Sequence, residues 1–111
     1  MDIKKEEFNA TSFFSLKESI VYSENAIVSK QVLKKTTGNI TLFAFDKDQE
    51  LSEHTAPYDA LVQVLEGTVR IRIDKNEFQL NEGLSIIMPA NIPHSVYAVQ
   101  SFKMILTMIK S

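Results

Sequence analysis

The amino-acid sequence predicts an all-β domain, a sandwich or barrel of short antiparallel strands. Three observations carry this. Short runs rich in β-branched and aromatic residues follow one another from Ala26 to the C-terminus, each bounded by turn residues. In one of them Val69, Ile71 and Ile73 alternate with Arg70, Arg72 and Asp74, a period of two that gives one buried and one charged face. The turn signals recur at regular, short spacing, which is the pattern of a sandwich or barrel and not of a βαβ fold.

Taken in order, the first signal is Ser15-Leu16-Lys17-Glu18, which has the form of a capping box and is compatible with a short N-terminal helical turn or with an irregular segment. Residues Ala26 to Leu33 and Ile40 to Phe45 read as two strands of one hairpin, joined through the turn Thr36-Thr37-Gly38-Asn39. Ala60 to Leu65 is a further apolar run, ended by Gly67 before the alternating strand. Asp74-Lys75-Asn76-Glu77 forms the next hairpin tip, with Phe78 and Leu80 on the returning strand. Gly83 separates that strand from Leu84 to Met88, and Phe102 to Ile109 closes the chain. This last run carries Phe102, Met104, Leu106 and Met108 on one face and Lys103, Ile105, Thr107 and Ile109 on the other. A sheet buried on one side only does not need apolar residues on both faces, so a second cover is required, and a homodimer is the expected source. No repeat, low-complexity tract or linker interrupts the pattern, so residues 1–111 are read as a single domain.

Composition narrows the function classes. The formal charge is −2 and the basic residues are scattered, with Lys34-Lys35 the densest pair away from the N-terminus, so neither nucleic acid nor an anionic membrane is an expected partner. Cysteine is absent, which removes disulfides, thiolate metal sites and a cysteine nucleophile. Residues Met1 to Glu7 lack an apolar signal region, and no apolar run approaches the ~20 residues that span a bilayer, so a cytoplasmic location is expected.

The two histidines, His54 and His94, each lie beside a proline-containing corner: His54-Thr55-Ala56-Pro57 and Pro89-Ala90-Asn91-Ile92-Pro93-His94. Proline fixes its own backbone and restricts the residue before it, so each histidine is expected at a strand end. From spacing alone, the simpler reading is two separate, locally hydrogen-bonded residues.

The segments around them are similar to a known pair of motifs. Residues 48–67 resemble the first cupin motif, G-x5-H-x-H-x3-4-E-x6-G, through His54 and Gly67. Residues 83–98 resemble the second, G-x5-P-x-G-x2-H-x3-N, through Gly83, Pro89 and His94. Fifteen residues separate Gly67 from Gly83, as in compact microbial cupins. The resemblance implies a small single-domain bacterial cupin of the RmlC-like superfamily, with a jelly-roll barrel into which both histidines point. It also exposes departures. The second histidine of the first motif falls on Ala56, its glutamate on Ala60 and its opening glycine on Asp48; the internal glycine of the second motif falls on Asn91 and its final asparagine on Ala98.

Two metal ligands out of four therefore remain, and a divalent ion is normally held by three or four protein groups. Strand alternation turns Ala60, Val62 and Val64 to one face and Leu61, Gln63 and Leu65 to the other, so Gln63 is a poor substitute and Asp59 reaches the pocket only through a bulge or a shifted turn. The expectation is a small organic ligand bound in an apolar pocket formed by His54, His94, Ala56, Ala60, Met88 and Met104, with Phe43 or Phe45 as further candidates. No tightly bound cofactor is expected. Each neutral imidazole would offer one donor and one acceptor. The alternative is a metal-dependent enzyme, a dioxygenase or isomerase, in which a divalent metal is held by His54, His94 and Asp59. A third reading leaves the histidines as strand-corner residues with no pocket chemistry.

Overall fold

A computed structural model of the chain describes residues 7–110. It contains nine strands: β1 (Ile27–Lys35), β2 (Gly38–Phe45), β3 (Glu50–His54), β4 (Asp59–Glu66), β5 (Thr68–Ile73), β6 (Asn76–Asn81), β7 (Ser85–Met88), β8 (His94–Ala98) and β9 (Phe102–Ile109). They form two antiparallel sheets, a five-stranded one in the order β1-β2-β9-β4-β7 and a four-stranded one in the order β3-β8-β5-β6. The expected all-β jelly-roll barrel is what the chain forms. The capping sequence makes a single turn and no helix: the Glu18 N–H donates to Ser15 Oγ at 3.3 Å, and the Ser19 N–H donates to Leu16 O at 3.2 Å. Among the described residues, no helix is long and apolar enough to cross a membrane.

Alternation builds the core. The inward residues of both sheets, among them Phe45, Ala60, Val62, Val64, Val69, Ile71, Val96, Phe102 and Met104, form one buried cluster, while Arg70 and Arg72 stay exposed on the far side of β5. Gly67 makes the tight turn between β4 and β5. Its φ is +82°, and a Cβ there would lie 2.1 Å from Ser101 O and 2.7 Å from Phe102 Cβ, so only glycine fits.

The five-stranded sheet is apolar on its outer face as well. Residues preceding β1 lie across one half of that face: Ile20 is 1% exposed in a second cluster with Leu42, Ala44 and Ile105, flanked by Phe8, Leu16 and Tyr22. Polar groups latch this cover down. The buried Lys103 ammonium donates to Lys17 O at 2.6 Å and lies 3.7 Å from Glu66, whose carboxylate also accepts from the Tyr22 hydroxyl at 2.5 Å. The second cover inferred from β9 is thus supplied in part by the chain itself. Among the described residues, nothing covers the other half of the face. Strand register sets Leu33, Ile40, Thr107, Leu61 and Ile87 in one row across all five strands, with Leu33 48% and Ile87 61% exposed.

Candidate functional site at the barrel mouth

His54 ends β3 and His94 begins β8, and the two are direct cross-strand partners. The proline corners beside them are tied together, because the Asn91 N–H donates to Ala56 O at 2.7 Å. On β8, His94 lies two residues from Val96 and shares its inward face. On β3, Leu51 pairs with Val96 while His54, three residues on, pairs with His94. An odd offset on a regular strand would send His54 out of the barrel. The register shift between Leu51 and His54 restores its direction, as a β-bulge does.

The motif departures keep the backbone. Asp48, where the family has its opening glycine, has φ +69°, and Asn91, where it has the internal glycine, has φ +64°. Aspartate and asparagine are the non-glycine residues that best tolerate this left-handed region, so the corners that aim the histidines survive the substitutions.

The ring nitrogens converge. His54 Nε2 and His94 Nε2 lie 3.1 Å apart, with the rings edge to face and their centroids 4.3 Å apart. Each Nδ1 lies against a main-chain carbonyl, His54 on Ser52 O at 2.6 Å and His94 on Ile92 O at 3.1 Å. A carbonyl can only accept, so both Nδ1 atoms carry the proton and donate it there. The donor of each neutral ring is then used by the backbone, which leaves the acceptor facing the cavity mouth. His94 is buried and His54 is exposed at the rim. Burial, reinforced by the neighbouring His54, pushes the His94 pKa below the usual histidine value.

Beneath the pair opens a cavity of about 290 Å³. All six residues expected from the sequence line it: His54, His94, Ala56, Ala60, Met88 and Met104. Phe43 lines it too, whereas Phe45 is packed into the core below. Leu51, Val96, Leu106 and Met108 complete the wall and were not singled out in the sequence, although Leu106 and Met108 share the β9 face of Met104. Val62 and Val64 point inward as expected but fill the floor of the barrel.

The donor set does not fit a tightly held divalent ion. Two imidazole nitrogens 3.1 Å apart suit neighbouring positions on one metal, with Nδ1 anchored to carbonyls as metal-binding histidines usually are. Among the described residues no third donor joins them. Ala56 and Ala60 carry none, and Asp59 is on the opposite face of β4 from Ala60, its Oδ1 accepting from the Ala90 N–H at 2.8 Å. Among the described residues, no group of three or more histidine, cysteine, aspartate or glutamate side chains could hold a metal ion.

A two-sheet jelly-roll barrel with paired histidines at its mouth defines a class, and comparison with known proteins gives the family. The cupin domain family matches residues 41–110, and the chain belongs to it. It is similar to a conserved protein of unknown function from Streptococcus pyogenes (33% identity over 96% of this chain and 93% of that one, TM-score 0.89). It also resembles a cupin 2 conserved barrel domain protein from Leptotrichia buccalis (41% identity over 87% of this chain, TM-score 0.84), of whose length it spans about half, 47%. A cupin superfamily protein from Desulfitobacterium hafniense shares the fold at 22% identity, over 98% of this chain and all of that one, with a TM-score of 0.89. No curated protein matches.

Proposed function

We propose that the barrel is a binding module for a small, largely apolar organic molecule, seated in the cavity beneath His54 and His94. One observation carries the reading: the two family ligand positions missing from the metal set are alanines, and both line the cavity. A small apolar side chain there leaves room for a guest and avoids a buried charge without a partner. The volume of about 290 Å³ is near the lower end of small-molecule sites, about 300–1,000 Å³. Three of the four methionines in the chain line the same space and supply a direct readout. In protein labelled at the methionine methyl groups, a panel of small aromatic molecules should shift the NMR signals of Met88, Met104 and Met108 together. If no member moves them while the protein stays folded, the binding reading fails.

A metal-dependent reaction is the second reading, favoured by the convergence of the two Nε2 atoms alone. The missing third donor stands against it.

The module is proposed to act as a homodimer through the uncovered half of the five-stranded sheet. Beside the apolar row lies a second one, Lys35, Gly38, Ile109 and Asp59, with a positive residue at one end and a negative one at the other. A twofold axis parallel to the strands sets each lysine against the other copy's aspartate. Light scattering should give about twice the 12.6 kDa chain mass, falling to the chain mass for Ile87→Lys. A wild-type mass equal to that of one chain would refute the dimer.

A further inference from the structure

The hydrogen-bond state of the histidine pair specifies more than an apolar guest. In their neutral forms both rings are protonated at Nδ1, because each Nδ1 faces a carbonyl. Both Nε2 atoms are then bare acceptors. Among the described residues each has the other as its polar neighbour, 3.1 Å away, so two lone pairs face one another. Shifting the proton of either ring to Nε2 would join the pair but turn a bare Nδ1 towards its carbonyl, replacing one repulsion by another. An added proton would satisfy all four nitrogens, at the cost of a charge in a cavity whose remaining walls are alanine, methionine, phenylalanine, leucine and valine. A neutral O–H from outside the protein, placed between the two nitrogens, puts its hydrogen where the lone pairs meet without that charge.

We infer that the cavity selects neutral apolar molecules bearing a hydroxyl group, an alcohol or a phenol, whose O–H points between His54 Nε2 and His94 Nε2. This rests on the reading of the cavity as a ligand site. The selection works by rejection as much as by attraction. A guest lacking a donor strips water from two acceptors and satisfies neither, and a guest ending in a carbonyl or carboxylate adds a further lone pair to the two already facing each other. An ammonium group would satisfy the nitrogens but bury its charge against hydrocarbon. The discrimination should therefore follow the hydroxyl hydrogen rather than size or polarity.

The test uses three probes of similar shape, 4-methylphenol, 4-methylanisole and 4-methylbenzaldehyde, titrated into the full chain at a pH where both rings are neutral. The phenol should bind about tenfold more tightly than either analogue, the value of one well-made hydrogen bond. In the double variant His54→Phe/His94→Phe, which removes both acceptors and keeps a ring at each place, that preference should fall to within about twofold, whereas His54→Phe alone leaves the His94 Nε2 acceptor and should keep it. Independently, imidazole ¹⁵N spectra of the unmodified protein should show both rings as the Nδ1–H form. Equal binding of the phenol and the anisole, or a neutral ring protonated at Nε2, would overturn the hydroxyl selection and leave the cavity as a less specific binding site. Failure of all three probes to bind would overturn both.

Discussion

The mouth and the floor of this barrel are built from the same strands and the same inward alternation, yet one is open and the other is packed solid. On β4, Ala60 lines the cavity while Val62 and Val64, two and four residues further on, are buried in the core. On β9, Met108, Leu106 and Met104 line the cavity, and Phe102 at the other end fills the floor against Phe45, with ring centroids 4.6 Å apart. The difference is side-chain size, not topology. A cupin barrel keeps its stability at the floor and can change its chemistry at the mouth, where two ligand positions have become alanine without disturbing the backbone that aims the histidines.

The comparison can be broken most severely at the floor. Gly67→Ala forces a Cβ into Ser101 O and Phe102 at positive φ, and should cost on the order of 4 kcal/mol or more, read as loss of the cooperative transition in urea. Phe102→Ala should cost about 3–5 kcal/mol through the void it leaves, whereas Met108→Ala, at an already open wall, should cost about 2 kcal/mol or less. Similar losses at both sites would erase the distinction between floor and mouth.

The mouth should instead respond in chemistry. Ala56→His combined with Ala60→Glu restores the family's donor positions, and should raise affinity for a divalent transition metal by on the order of a hundredfold, measured by calorimetry. No gain would mean that these positions do not face His54 and His94 as their place in the cavity wall requires.

The smallest effect is in pH dependence. Because burial lowers the His94 pKa in the folded state, the unfolded chain takes up the proton first on acidification. This contribution to stability is complete above the unfolded histidine value of about 6.5 and is lost as pH falls through it towards the folded value. His94→Gln should flatten that part of the stability curve, and an unchanged slope would remove His94 as its source.

Much of this was legible in the sequence because it rests on alternation and spacing. The inward set on β4, the charged outer face of β5 and the meeting of the two histidines follow from a period of two and from the motif offsets. β3 was not legible as a strand: Glu50-Leu51-Ser52-Glu53-His54 has one apolar residue, and its structure comes from pairing with β8. The bulge that turns His54 inward, and the positive φ that Asp48 and Asn91 share with the glycines they replace, are backbone properties with no signature in residue type alone. The apolar outer face of β9 was legible, but its cover was not. Residues 8–22 supply half of it, since an irregular segment has no periodicity to announce where it docks.

The proposed small-molecule cavity at the mouth leaves no place for a tightly held resident metal. The most direct measurement is elemental analysis of protein purified without a histidine tag and dialysed against a mild chelator. Two neutral imidazoles with no third donor should retain well under one equivalent of iron, manganese, nickel or zinc. One full equivalent surviving the chelator would contradict the binding-module reading and return the barrel to metal-dependent chemistry.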